Sequence, residues 1–217
     1  MQISAVPKEV NDWSGSVLIA GILEGTIESH INSFKAIIKN SYLSQRFNDA
    51  KFEGKKNQNL SIEITEGNIK KIIFIGLGKA EDLLLEDLRK ATSSGIRQVL
   101  SFEKKIGISF PWNAFDLSSA ASAVGEAVQL SSIKDLRFKS EPKEATTIEK
   151  VELLGLDIKS TELAIAETTP ICEGVKFARE LVSAPPNFLT PIQMAKEAEK
   201  LAHNYGLNLK ILDKKEC

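Results

Sequence analysis

The segment Ser16 to Ile22, Ser-Val-Leu-Ile-Ala-Gly-Ile, constrains this chain more than any other. Too short to cross a membrane and rich in β-branched residues, it reads as a strand buried on both faces, which requires layers of structure on either side of a sheet. The run also follows Lys8, Glu9 and Asp12 instead of a basic leader, so it is no signal segment. Strand-like and helix-like periods alternate from there on, which is the pattern of an α/β fold.

Gln2 to Val6 reads as a first strand. Residues from Thr26 to about Gln45 read as one helix, because Ile27, Ile31, Phe34 and Ile38 recur at spacings of four, three and four. Leu60 to Ile64 alternates with period two and is separated by Glu66-Gly67-Asn68 from Lys71 to Ile75, predicting an antiparallel hairpin whose second strand lies deeper. After Gly76-Leu77-Gly78 a helix is expected from about Glu81 to Phe102, with Leu84, Leu88, Ala91 and Val99 inward. Ile106 to Phe110 is a further strand, stopped by Pro111. Asp116 is an N-cap for a helix over Leu117 to Leu130 that turns Ala120, Ala123, Val124, Ala127 and Val128 to the sheet. A polar loop over residues 139–150 precedes a last strand, Val151 to Leu156.

Six strands and three helices make a three-layer α/β domain with a mixed sheet, closing near residue 158. Residues 159–182 are helical again, and Pro170 either kinks that helix or starts a new one capped by Thr169. Ser183-Ala184-Pro185-Pro186-Asn187 ends it and acts as a stiff connector. Thr190-Pro191-Ile192-Gln193 is a capping box opening a helix that runs to about Asn204, with Gly206 as C-cap and Leu207 to Leu212 as one more strand. One helix and one strand cannot make a core. Residues 184–217 are therefore expected to open a second α/β domain whose remainder is missing, the alternative being that the last strand joins the edge of the first sheet.

Function classes narrow on composition. With 28 Lys and Arg against 29 Asp and Glu, the net charge of −1 carries no footprint for nucleic acid. Two cysteines, Cys172 and Cys217, make no disulfide framework and point to a reducing compartment, so a soluble cytoplasmic protein is expected. The eight aspartates, at 12, 49, 82, 87, 116, 135, 157 and 213, are scattered. Carboxylates that hold metal ions must converge on one place, and no spacing here brings them together. His30 and His203 sit on separate predicted helices, Cys172 lacks partners at ligand spacing, and no catalytic, metal-binding or cofactor-binding residue is assigned. Gly76-Leu77-Gly78-Lys79 invites a phosphate-binding reading, yet it lacks the remaining residues of a dinucleotide loop or P-loop, and Glu81 and Asp82 would occupy the positive end of the following helix. It is read as a turn that needs backbone freedom. Lys55-Lys56, Lys104-Lys105 and Lys214-Lys215 read as solvated faces.

Three segments together resemble the leucyl aminopeptidase family of dinuclear-metal exopeptidases. They are Ile73-Phe74-Ile75-Gly76-Leu77-Gly78-Lys79 with Asp87-Leu88-Arg89-Lys90-Ala91; Leu136-Arg137-Phe138-Lys139-Ser140; and, most specifically, Ala178-Arg179-Glu180-Leu181-Val182-Ser183-Ala184-Pro185-Pro186-Asn187-Phe188-Leu189-Thr190-Pro191. The resemblance implies a macro-domain-like α/β N-terminal domain at 1–158, a linker helix at 159–183 and the truncated start of the catalytic domain at 184–217. For the full-length family it further implies release of N-terminal residues, leucine preferred, from peptide substrates, with two divalent ions such as manganese or zinc, in a hexamer. The family's metal and catalytic residues lie in motifs that no segment here matches. The 217-residue chain is therefore expected to bind no metal and to be inactive. Some bacterial relatives contact DNA through this domain, but no nucleic-acid or membrane partner is expected here. The alternative is a stand-alone macro-like module that binds a ligand, for which ADP-ribose or a nucleotide is the first to test, or that assembles an oligomer.

Overall fold

In the computed structural model, residues 1–99, 104–140, 148–213 and 215–216 are described. Six strands form one sheet in the order β1-β6-β5-β2-β4-β3. These are β1 (Gln2–Val6), β2 (Val17–Leu23), β3 (Asn59–Glu63), β4 (Lys71–Gly78), β5 (Lys105–Ser109) and β6 (Lys150–Leu154). All neighbours run parallel except β3, which pairs antiparallel with β4 in the expected hairpin, Ile62 opposite Ile72.

β2 and β4 lie centrally and are buried on both faces, and their alternate side chains supply two separate cores. Val17, Ile19, Ile73, Ile75 and Leu77 face one core, which α3 (Leu85–Arg97) and α4 (Leu117–Ser132) cover with Leu88, Ala91, Ile96, Ala120, Val124 and Val128. Leu18, Ala20, Ile22, Ile72 and Phe74 face the other, beneath α1 (Ile27–Ser33) and α2 (Asn40–Asp49). There Phe74, fully buried, meets the rings of Phe34 and Phe47 edge-on at 5.1 and 5.0 Å and lies 6.5 Å from Phe52. The three-layer α/β expectation is met.

The single helix expected over 26–45 is two. Backbone turns between Phe34 and Ile38 interrupt it, and Asn40 Nδ2 bonds Asn32 Oδ1 at 2.9 Å across the break. Asn32, Ser33 and Asn40 are weak helix formers that compete for backbone partners. Ile31, Phe34 and Ile38 are nonetheless buried, so the periodicity reported the buried side correctly while the backbone between them turned. The helix expected over 81–102 begins only at Leu85, after a 3-10 turn over Ala80–Asp82. Leu84, expected inward, precedes the first turn and is 64% exposed. Residues 100–103 of that expectation lie outside the described residues, as do 141–147 of the expected loop. Asp116 caps α4 as expected, its carboxylate accepting from Ser119 N at 2.9 Å, and all five alanine and valine positions expected inward are buried.

A buried charge sits at the sheet's other end. Glu152 of β6 accepts from Trp13 Nε1 at 2.7 Å and pairs with Lys105 at 3.1 Å and Lys150 at 2.6 Å. Burial works to raise its pKa, but the bonds from Lys150, Trp13 and Lys105 together outweigh that and hold it at about 2.

The chain divides into two units, Met1–Glu173 and Gly174–Cys217, and the division falls inside α5 (Ile158–Ser183). α5 is one uninterrupted helix through Pro170, so Thr169 does not cap a new one. Pro170 merely forgoes one rung of the helix ladder. Within the first unit, Thr161, Ala164, Ile165, Thr168 and Cys172 are buried, and Gln129 Nε2 of α4 donates to Thr168 Oγ1 at 2.6 Å. In the second unit, α6 (Pro191–Tyr205) starts at Thr190, whose hydroxyl accepts from Gln193 N at 3.3 Å, and ends at Gly206 in the left-handed region. The expected capping box is half formed, because the Gln193 side chain donates to Glu197 at 2.9 Å instead of reaching back. The strand expected over Leu207 to Leu212 is absent; this stretch has no regular structure and its leucines and isoleucine are exposed. A strand without neighbours has no ladder to satisfy its backbone.

Candidate functional site

Gly76, Leu77 and Gly78 are the last residues of β4, not a turn after it. Their glycines answer to close backbone packing. A Cβ on Gly76 would lie 2.1 Å from the Lys55 carbonyl oxygen, and Gly78 has φ +82°. Gly76 N and Gly78 N donate to the carbonyls of Gln58 and Gly54, both at 2.8 Å, locking the segment before β3 against the end of β4. The structural role expected of these glycines is met, although the geometry is a strand end.

Beside them lies a cavity of about 60 Å³ lined by Lys56, Asn59, Gly76, Asp87 and Lys90 among others. Lys56, the cation best placed for an anion, is committed. Its Nζ donates to Asp87 Oδ2 at 2.8 Å and to the Asp82 carbonyl at 3.1 Å. Asp87 also accepts from Leu84 N at 2.9 Å, so this carboxylate occupies the first turn of α3, a role expected of Glu81 and Asp82. Burial works to raise the Asp87 pKa, and Lys56 and Leu84 together hold it below the usual carboxylate range. A space of this size holds a water or two and no nucleotide.

The other singled-out residues do not converge. His203 is exposed on α6, 3.5 Å from Asn204 Oδ1. Cys172 is buried among α4 and α5 atoms as the small hydrophobe expected, and Cys217 lies outside the described residues. Lys55, Lys56, Lys104 and Lys105 pair with Glu53, Asp87, Glu149 and Glu152. Lys215 N bonds Asp213, and Lys214 lies outside the described residues. Among the described residues no three His, Cys, Asp or Glu side chains come together as metal ligands, so the residues present do not fit a dinuclear centre. His30 is different. It is half-buried on α1, burial lowers its pKa, and it lines a cleft of about 270 Å³ at the carboxyl ends of β2 and β5. Sequence reading missed this cleft, because what places β5 beside β2 is sheet order; the small pair Ala20-Gly21 at a strand end was the only local signal.

Residues 21–142, more than half of the chain, match the cytosol aminopeptidase family, N-terminal domain. The chain belongs to the cytosol aminopeptidase family. It is 46% identical over 217 residues to a probable cytosol aminopeptidase of Prochlorococcus marinus strain MIT 9211, and 37% identical over 220 residues to one of Synechococcus sp. strain CC9311. Each match takes in 100% of this chain and 44% of the relative. The chain thus spans less than half the length of these aminopeptidases. A solved mutant of tomato leucine aminopeptidase superposes with a TM-score of 0.82 at 25% identity, over 100% of this chain and 45% of that one. The bottromycin maturation enzyme BotP, solved in complex with Mn, shares the fold over 90% of this chain and 38% of its own, with a TM-score of 0.65 at 20% identity. No helix among the described residues is long and apolar enough to cross a membrane.

Proposed function

We propose that the chain is the N-terminal portion of a leucyl aminopeptidase. Residues 1–158 form its N-terminal domain, residues 159–183 of α5 are the linker, and residues 184–217 open the catalytic domain. The whole enzyme releases N-terminal amino acids, leucine preferred, from peptides in the cytoplasm, with two divalent metal ions, manganese or zinc, and works as a hexamer. The 217-residue chain alone does not hydrolyse peptides.

One observation carries this reading: the likeness takes in all of the chain but 44% of its aminopeptidase relatives. The scattered carboxylates agree with it, since metal-activated water needs several ligands held together. The purified chain, supplied with manganese and leucyl-p-nitroanilide, is expected to give no hydrolysis above the metal-only blank. Turnover that survives repurification and is abolished by a chelator would overturn the proposal of inactivity.

A further inference from the structure

The cleft beside His30 lies where the sheet changes direction. From β2 the chain moves outward to β4 and β3 through α1 and α2, on one face. From β5 it moves the opposite way, to β6, through α4 on the other face. The β2/β5 boundary is therefore the topological switch point, and the crevice outside the carboxyl ends of adjacent strands at such a point is where open α/β sheets take ligands. The ends of β2 and β5, the start of the 3-10 turn after β1, and α1 all line it.

The lining defines the ligand. Phe34 and Phe110 are buried and give it an apolar wall. Glu9, Asn11, His30, Ser33 and Ser109 supply its polar groups; Asn11 Oδ1 already accepts from Ala36 N at 3.3 Å, and the side chains of the other four have no hydrogen-bond partner among the described residues. No lysine or arginine lines it, so an anion would meet a carboxylate and no countercharge. Each of these four unpartnered groups can accept a hydrogen bond, the imidazole because burial favours its neutral form. An ammonium group has three donors and needs acceptors. A cleft of about 270 Å³ matches a body of one or two amino-acid residues.

We propose that this cleft binds a small primary amine with a compact apolar body, its ammonium group held by Glu9 and by the Ser33, Ser109 and His30 acceptors, its body against Phe34 and Phe110. The site lies wholly within the first unit and needs no metal.

Leucinamide and isoamylamine are the probes, with AMP as the anionic comparison, each titrated into the 217-residue chain and followed by amide chemical shifts. Saturable shifts of Gly21, His30 and Ser109 are expected with both amines, at a dissociation constant on the order of 1 mM, and none with AMP. Glu9→Gln is expected to weaken leucinamide by about threefold to fivefold, as an exposed charge pair does. Ser33→Leu, at an exposed position, is expected to abolish the shifts by filling the cleft while leaving the thermal midpoint unchanged. Absence of saturation up to about 20 mM amine, AMP binding as tightly as the amines, or amine shifts indifferent to both substitutions would each overturn the assignment.

Discussion

The two units of this chain follow the same local rules and reach opposite outcomes. In Met1–Glu173, central strands buried on both faces bring two apolar cores under α1 to α4 and the first half of α5. In Gly174–Cys217, α6 has a threonine N-cap, proline in its first turn and a left-handed glycine C-cap, yet none of the described residues is buried. Val182, Phe188, Ile192 and Tyr205 are 87%, 56%, 73% and 69% exposed. Caps and propensity write a helix into the sequence but add only about 1 kcal/mol each, whereas a helix of this length is marginal without packing. The lesson is that element-level signals do not measure stability. Only the first unit has the non-local burial that makes a fold cooperative.

Hydrogen exchange gives the largest contrast. β4 is bonded to β2 on one side and β3 on the other, so the amides of Ile72 to Ile75 are expected to open only with global unfolding. For a stability of at least about 5 kcal/mol that means slowing by on the order of 10³ to 10⁴. Asn208 to Leu212 lie outside any ladder and are expected to exchange within about tenfold of an unstructured peptide. Equal protection of the two stretches would show that the second unit carries stability of its own and would break the comparison.

Truncation of side chains comes next. Phe74→Ala removes a fully buried ring from the cluster of Phe34, Phe47 and Phe52, and is expected to cost about 3–5 kcal/mol in denaturant unfolding. Tyr205→Ala, at a comparably large aromatic in the second unit, is expected to stay within about 0.5 kcal/mol. A loss above 2 kcal/mol at Tyr205, on the order of a core deletion, would mean that its ring is buried in solution.

The Glu152 network sharpens the picture of the first unit through pH. A carboxyl whose folded pKa is about 2, against an ordinary 4.5, contributes stability that is fully present above the higher value and is lost as pH falls through the lower. Glu152→Gln removes the negative charge between Lys105 and Lys150 and turns one of its two accepting oxygens into a donor, and is expected to cost about 1–3 kcal/mol at pH 7. The difference between the two proteins should shrink steadily between about pH 4.5 and pH 2. A gap independent of pH over that window would assign the loss to packing against Trp13 instead of to charge.

What was legible in the sequence follows the same division between local and non-local causes. β2 and β4 could be read because residues buried on both faces leave an unbroken apolar run, and α4 because Asp116 and its alanine-rich face are local signals. The break between α1 and α2 was not readable, since Ile31, Phe34 and Ile38 are buried whether a helix or a pair of turns carries them. The structural role of Gly76 and Gly78 is legible in the sequence, but its reason, the Gly54 to Gln58 segment lying against them, is a tertiary contact. The cleft at β2 and β5 depends on sheet order, which no window of sequence contains. The strand expected over Leu207 to Leu212 had the composition of a strand and no sheet to join.

The smallest expected effect compares two N-caps of the same kind. The Asp116 carboxylate accepts from both the backbone N–H and the hydroxyl of Ser119, at 2.9 and 2.8 Å, which hold it below the usual carboxylate range. Thr190 makes the corresponding backbone bond at 3.3 Å. If the second unit contributes nothing to cooperative unfolding, the two substitutions must report differently. Asp116→Ala should lower the midpoint of the main thermal transition by about 2–4 °C, because α4 melts only with the core it covers. Thr190→Ala should leave that midpoint in place and reduce only helical ellipticity at temperatures well below it, because α6 frays independently of the sheet. A shift of the main transition by Thr190→Ala as large as that by Asp116→Ala would couple α6 to the core, and the separation of the chain into one self-sufficient unit and one dependent unit would no longer hold.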